Sequence, residues 1–296
     1  MRLGELYRGA AADLALARRR FPRDPVRSRL EQLVRRGGLA VYGARPERGS
    51  VLRFLARDYW QTVADRPGAL AIAALALFGP AALACVWALS EPAGAAAFIP
   101  SEFAAATEPP GDAGTTAAQE AVFSTELFTH NIQVTFLVFA LGITAGIGTA
   151  ILLAYNGILL GAITGAAFEA GNGSAFAEFL IPHGLLELSC IVVTAAAGIR
   201  AGWALVDPGD LRRSAAFSIE ARRSVGIVLG TMPWLVLAGL LEAFVRSQGL
   251  PAIVPIAVGI AVFALYWGLV VVRGRPDRGS SADLRGGPVP SPAGTP

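Results

Sequence analysis

The sequence predicts an all-α fold, namely a polytopic membrane helix bundle of about six transmembrane spans with an N-terminal cytoplasmic helical segment. Two features of the composition indicate this fold. Of the 296 residues, 54% are hydrophobic and only 16% are charged, whereas about a quarter of the residues in a typical soluble domain are charged. The apolar residues also collect into long runs, and a helix of about 20 such residues is needed to cross a hydrocarbon layer about 30 Å thick.

Residues 1–66 are predicted to form the basic cytoplasmic segment. They contain 15 Arg against 7 acidic residues, a net charge of +8, and basic residues favour the cytoplasmic face of a membrane. Apolar residues recur at helical spacing before Pro22 and after Pro25, which predicts an antiparallel helix pair. A third helix over residues 48–66 is expected either to lie on anionic lipid or to pack on its own domain.

The first span is predicted over residues 68–89, which are apolar and numerous enough to cross the bilayer. Residues 90–130 follow as an external loop because they contain six acidic residues and no Arg.

The second and third spans are predicted over residues 131–155 and 157–170, joined by a tight reversal at Asn156 and Gly157. An Asn-Gly pair tolerates the left-handed backbone conformation that such a reversal requires. The third span is then shorter than the roughly 17 residues that a crossing needs. We therefore expect it to continue through residues 171–181 or to be a half-helix buried in protein.

The remaining spans are predicted over residues 182–205, 225–245 and 252–272. Pro182 is expected in the first helical turn, where its missing N–H costs nothing. Arg residues in 207–224 and after residue 272 indicate cytoplasmic loops, so both termini are expected in the cytoplasm. Residues 273–296, rich in Gly, Pro and Ser, are expected to be a disordered cytoplasmic tail.

Glycines four residues apart recur in these spans and predict helix packing. They are Gly142 and Gly146, then Gly157, Gly161 and Gly165, then Gly198 and Gly202. This spacing puts the glycines on one helix face and lets two backbones approach closely. We expect close packing within one bundle, with homo-oligomer contacts or a moving helix as alternatives. The triplet that begins at Gly157 is expected to pack against the second span.

Several polar residues within or beside the apolar runs form a candidate polar site. These residues are His183, Glu187, Asn131, Asn156, His130 and Glu169. His183 and Glu187 lie four apart and so share one helix face. An ionised Glu at the bilayer centre costs about 3 kcal/mol on insertion scales, so we expect hydrogen bonds to compensate Glu187.

Two interpretations of this site stay open. The structural one is a hydrogen bond between His183 and Glu187 within the helix. The functional one places His130, Glu169 and Glu178 at the same depth, and two His with a carboxylate can hold zinc with a position open for water. The sequence has no H-E-x-x-H, P-loop, dinucleotide or nucleophile motif. We therefore assign no catalytic, cofactor-binding or metal-binding residue and expect no cofactor.

Other charged residues are given structural roles. Glu242 and Arg246, four apart, are expected to form a helix-end ion pair worth a few tenths of a kcal/mol. Arg200 is expected to extend to the inner headgroups. The basic N-terminal segment lacks interleaved aromatic residues, so lipid and not nucleic acid is its expected partner.

Four motifs occur together between about residues 120 and 210. They are Asn131-Ile132 with Phe139-x-x-Gly142-Ile143-x-x-Gly146, Asn156-Gly157-x-x-x-Gly161, Pro182-His183-Gly184-x-x-Glu187-Leu188, and Ala197-Gly198-x-x-x-Gly202. In combination they resemble the stage II sporulation protein M family of bacterial membrane proteins. The chain departs from that family at His130, where members usually have a second Asn, and this departure weakens a metal site built on His130.

The resemblance implies an envelope protein that is not an enzyme in its own right. In spore formers the namesake is the membrane-embedded member of a septal peptidoglycan-degrading complex. We accordingly expect a multi-pass protein of the cytoplasmic (inner) membrane that acts as a scaffold or partner in envelope and peptidoglycan remodelling. Its expected partners are the lipid bilayer and either envelope proteins or further copies of the chain.

Two alternatives remain. The short third span, the broken 171–181 segment and the buried acid favour a small-solute transporter or channel with a site near Glu187. An intramembrane metal-dependent hydrolase is the other. A polar cavity that reaches both Glu187 and Asn156 would favour transport, a bound metal would favour the hydrolase, and a packed bundle would favour the scaffold.

Overall fold

The structure, a computed structural model, describes residues 2–21, 24–42, 50–103, 117–247 and 250–275. These residues are almost entirely helical, and no strand occurs among them. The chain divides into two compact units, Met1–Phe54 and Leu55–Pro296. The predicted disordered tail lies largely outside the described residues.

The first unit contains a packed helix pair, as the sequence predicted. α1 spans Arg2–Arg20 and α2 spans Pro25–Tyr42. Asp24 precedes α2 and its carboxylate accepts a hydrogen bond from the backbone N–H of Val26 at 2.8 Å, which satisfies a donor that the helix start leaves unpaired. Arg18 Nη2 donates to Glu31 Oε1 at 3.0 Å across the pair.

The helix predicted over residues 48–66 is divided. It consists of α3, Ser50–Arg53, a π-helical turn, Phe54–Asp58, and α4, Tyr59–Ala64. Tyr59, Trp60 and Val63 of α4 are buried against the spanning helices of the second unit. The α4 part of this segment therefore packs on protein.

Six helices in the described part of the chain are long and apolar enough to cross a membrane. They are α5, Pro67–Ser90; α7, Ala117–Ala140, which a 3-10 turn extends to Thr144; α8, Ile147–Glu169; α9, Gly173–Val206; α10, Arg213–Ser247; and α11, Ile253–Arg273. A short helix, α6, spans Pro92–Phe98 after α5. The predictions of an all-α fold and of six spans are confirmed.

The reversal between the second and third spanning helices lies at Ala145 and Gly146, so the predicted turn at Asn156 and Gly157 is wrong. Ala145 and Gly146 have φ angles of 57° and 84°, the left-handed region that glycine tolerates at no steric cost. The Asn-Gly pair lies inside α8, where Asn156 Nδ2 donates to the backbone oxygen of Leu152 at 2.8 Å. This side-chain bond to the preceding turn fits an interior helical position.

The third span is a complete helix and the fourth is continuous, which also corrects the prediction. α8 has 23 residues and α9 has 34. The chain does break near Gly171, where φ is 77°, but residues 173–181 belong to the continuous helix α9. Pro182 therefore lies inside α9, where Gly259 of α11 packs closely against its backbone.

α9 is the central helix of the bundle. It packs against each of the other five spanning helices. In its most apolar stretch 72% of the residues are buried, against 22–50% in the other five. His183 and Glu187, which α9 carries, are thus enclosed by protein and not by lipid.

Glycine allows backbone contact between α5 and α8. The contacts pair Gly157 with the carbonyl oxygen of Leu77, Gly161 with that of Ala81, and Gly165 with that of Cys85. A Cβ at any of these glycines would overlap the facing oxygen. The partner of this triplet is therefore the first spanning helix, and the expectation that it packs against the second is wrong. Helices adjacent in sequence are not the closest pair here.

A second set of close contacts joins the end of α7 to α9. Gly142 lies against the backbone of Gly198, and Gly202 lies against the carbonyl oxygen of Gly142. The left-handed turn at Ala145 and Gly146 thus sits directly beside the central helix.

Candidate polar site in the helix bundle

The candidate polar site is centred on a hydrogen bond between α7 and α9. Asn131 Nδ2 donates to Glu187 Oε2 at 2.5 Å. Glu187 has no exposed surface, and Asn131 is half-buried. This bond joins two residues 56 positions apart and compensates the burial of one of the two carboxyl oxygens.

His183 lies one helical turn before Glu187 on α9 and is 2% exposed. Its ring meets that of Phe179 edge to face, with the ring centroids 5.1 Å apart. This part of α9 thus presents a buried imidazole and a buried carboxyl on one face.

The neighbour of Asn131 extends the polar contacts to α8. His130 Nε2 lies 3.4 Å from Asn156 Oδ1. His130 is exposed, while Asn156 is half-buried. His130 and Asn131 are adjacent on α7, so α7 contacts α8 through one of them and α9 through the other; we call these two contacts the polar row.

Glu169 does not join this row, which corrects its predicted depth. It is exposed at the end of α8, 13 residues beyond Asn156, or about 20 Å along the helix. The misplaced reversal explains the error. With the turn at Ala145 and Gly146, Asn156 and not Glu169 lies level with His130.

Glu242 on α10 is a neighbour of Glu187 that the sequence analysis missed. It is 6% exposed and lies within electrostatic range of Glu187. The Oε1 atoms of Glu187 and Glu242 are both buried, and neither has a hydrogen-bond partner among the described residues. The side chain of Arg246, the expected partner of Glu242, lies outside the described part of the chain.

A sequence signal for Glu242 did exist. Thr231, Leu235 and Ala238 are all buried on α10, and Glu242 continues their helical spacing on the same face. An acid in register with a buried stripe indicates a carboxyl inside the bundle.

An ionic cluster lies toward the other end of α9. Arg200 is 6% exposed, and its Nη2 lies 2.7 Å from Glu220 Oε1 on α10 and 3.5 Å from Asp65 Oδ2. Its Nη1 donates to the backbone oxygen of Thr62 at 2.9 Å. The expectation that Arg200 extends to headgroups is wrong, because α4 and α10 pack close enough to satisfy its guanidinium within the protein.

Buried hydroxyl groups attach α4 to the bundle. Tyr59 Oη lies 2.7 Å from Tyr266 Oη on α11 and 3.0 Å from Thr231 Oγ1 on α10. Burial raises the pKa of Tyr59 above its ordinary value, so the phenol is neutral and can donate a hydrogen bond. The rings of Trp60 and Trp234 pack edge to face beside it.

The two histidines do not form the arrangement that the hydrolase interpretation needs. His130 contacts Asn156 of α8, while His183 lies on buried α9 beside Glu187. No group of three or more His, Cys, Asp or Glu side chains that could hold a metal ion is found in the described ranges.

Comparison with known proteins assigns relatives to two parts of the chain. The family model described as Stage II sporulation protein M matches residues 72–246, and a model described as a domain of unknown function matches residues 1–43. An uncharacterized protein of Methanocaldococcus jannaschii is 32% identical over 75 residues, which are 25% of this chain and 42% of that protein. The chain thus spans less than half the length of this curated relative. No solved structure matches the chain.

Proposed function

This chain belongs to the stage II sporulation protein M family, and we propose that it is a non-enzymatic scaffold or partner in the remodelling of the bacterial envelope and its peptidoglycan. We place it in the cytoplasmic membrane with both termini in the cytoplasm, because the Arg-rich segments flank the spans on one side. Its proposed partners are the lipid bilayer and either envelope proteins or further copies of the chain.

The observation that carries this proposal is the close packing of α9 against its neighbouring helices. Backbone contacts fix α9 against the end of α7, and similar contacts fix α8 against α5. The hydrogen bond from Asn131 to Glu187 ties α7 to α9 a second time. Contacts of this kind leave little freedom for relative helix motion, and a fixed surface suits a protein that organises partners.

A small-solute transporter or channel is the second candidate, and one observation favours it. The polar row reaches both Asn156 and Glu187. Glu242 adds a second buried carboxyl close to Glu187. Ionisable groups inside a membrane often serve proton or ion movement. The other two features behind this alternative are not supported. The third span is a helix of 23 residues, and the break near Gly171 is the turn between α8 and the continuous helix α9.

Cross-linking in intact cells tests the scaffold proposal. The full chain is then purified in detergent beside a polytopic control protein from the same membrane. We expect a peptidoglycan hydrolase or wall-synthesis protein to be enriched with this chain and absent from the control. Equal recovery with both proteins, or solute movement by the purified chain alone in proteoliposomes, would contradict the scaffold role.

A further inference from the structure

A surface cavity of about 170 Å³ lies where three spanning helices begin or end. Arg66 immediately precedes α5, Asp207 immediately follows α9, and Glu220 lies in the first turns of α10. All three residues line the cavity, so these three helix ends share one membrane face. The cavity is therefore at the level of the lipid headgroups and not within the hydrocarbon.

Two oppositely charged side chains that line this cavity, Arg66 and Asp207, form no ion pair within the described ranges. Arg200 in its wall is already paired with Glu220 and Asp65. Arg66 and Asp207 are exposed, and neither forms an ion pair within the described ranges. The cavity thus presents one free cation and one free anion.

The remaining lining is apolar. Trp203, Leu211 and Ile219 line the same cavity and are 54%, 50% and 49% exposed. Tryptophan favours the membrane interface, where its ring meets both headgroups and acyl chains. A ligand with a charged head and an apolar body would satisfy both parts of this lining.

We propose that this cavity binds the headgroup of a phospholipid that carries both a phosphate and a primary ammonium, as phosphatidylethanolamine does. Arg66 binds the phosphate, because a guanidinium matches phosphate oxygens with two parallel N–H donors. Asp207 accepts from the ammonium, which has three N–H donors. The glycerol and the first acyl carbons lie against Trp203 and Ile219. This site is independent of the scaffold role.

The charge pattern selects among common headgroups. Phosphatidylglycerol has a phosphate but no cation for Asp207. Phosphatidylcholine has a cation, but its methylated nitrogen has no N–H to donate. The hydroxyls of phosphatidylglycerol can give Asp207 only neutral donors, so the ethanolamine headgroup alone among the three offers Asp207 a cationic N–H donor together with a phosphate for Arg66.

Native mass spectrometry of the full chain in mixed micelles tests this site. The micelles contain equal amounts of phosphatidylethanolamine, phosphatidylcholine and phosphatidylglycerol, and the lipid-bound fractions are compared. We expect the ethanolamine lipid to bind roughly tenfold better than the choline lipid, the factor that one hydrogen bond to a charged group supplies. Asp207→Asn should remove this preference, and Arg66→Gln should weaken binding of all three lipids.

Asp210→Asn and Arg212→Gln are the matched controls, since both residues are exposed nearby and do not line the cavity. They should keep the wild-type preference. Soluble phosphoethanolamine should compete only at far higher concentration, because it lacks the apolar body. Equal binding of the ethanolamine and choline lipids, the same loss in Asp210→Asn as in Asp207→Asn, or full competition by phosphoethanolamine would overturn the proposal.

Discussion

Gly161 of α8 lies directly against the carbonyl oxygen of Ala81 of α5, so the two helices touch at the backbone. Gly157 and Gly165 make the same contact one turn before and one turn after it. Backbone carbonyls cannot move aside as side chains can. The α5–α8 contact therefore leaves no room for a larger side chain at Gly161.

Gly161→Leu should destabilise the bundle, because the new side chain must push the α5 and α8 backbones apart. Overpacking of this kind typically costs about 1–3 kcal/mol. Thermal unfolding of the purified chain in detergent measures the loss as a lower Tm. Gly268→Leu is the matched control, since a Cβ at exposed Gly268 of α11 would meet nothing within 4 Å. Equal melting of the two variants would mean that the α5–α8 contact does not hold the bundle together.

Replacing Asn131 with Leu should destabilise the chain by about 1–3 kcal/mol, because it leaves both Glu187 oxygens buried without a donor. Glu187→Leu should lower the unfolding free energy by a similar amount, because it leaves the Asn131 amide without its acceptor. The double variant should lose less than the sum of the two single losses, since residues in one hydrogen bond couple. Additive losses in unfolding free energy would show that the two side chains do not act as a pair.

Arg200→Met should be among the most damaging single substitutions in the chain. Removing the guanidinium leaves Glu220, whose side chain is 10% exposed, as a buried carboxylate without its closest cation, and breaking such a pair costs about 3–5 kcal/mol. Asp65→Asn should cost less than about 1 kcal/mol, because the Asp65 side chain is 57% exposed and its pairing is screened by water. The reverse order of the two losses in unfolding free energy would contradict this assignment.

Cysteines placed singly at Ser101 and Ser214 test the proposed orientation. Both positions are exposed, and the background would lack Cys85 and Cys190. A membrane-impermeant thiol reagent should label residue 101 in intact cells and residue 214 only after the membrane is opened. Labelling of residue 214 in intact cells would show the opposite orientation and contradict the proposal.

The number of spans could be predicted from the sequence because span length and hydropathy are local properties. The reversal at Ala145 and Gly146 could not be located from the sequence. A glycine that adopts a left-handed turn cannot be distinguished there from one of the regularly spaced glycines that pack helices together. Gly142 and Gly146 have the same spacing, yet Gly142 packs on α9 while Gly146 also turns the chain.

Most members of the polar site could be named from the sequence, with Glu169 wrongly included and Glu242 missed, but their contacts could not. Asn131 and Glu187 are 56 residues apart, and only the packing of α7 on α9 brings them together. Asn156 was expected at the opposite end of its span, and the structure places it beside His130. Glu242 could have been found from the buried stripe on α10, whereas its proximity to Glu187 depends on how α10 packs against α9.

Glu187→Gln tests the central claim that the polar site is structural. Gln keeps an oxygen that accepts from Asn131 and adds a donor, so the scaffold account predicts a Tm close to that of the wild type. It also predicts that the variant restores the wild-type phenotype in cells that lack the chromosomal copy. Both properties are measured on the same strain, with Glu169→Gln as a control at an exposed carboxylate. A Glu187→Gln variant that is as stable as the wild type but fails to restore function would contradict the scaffold account and favour a proton- or ion-coupled site.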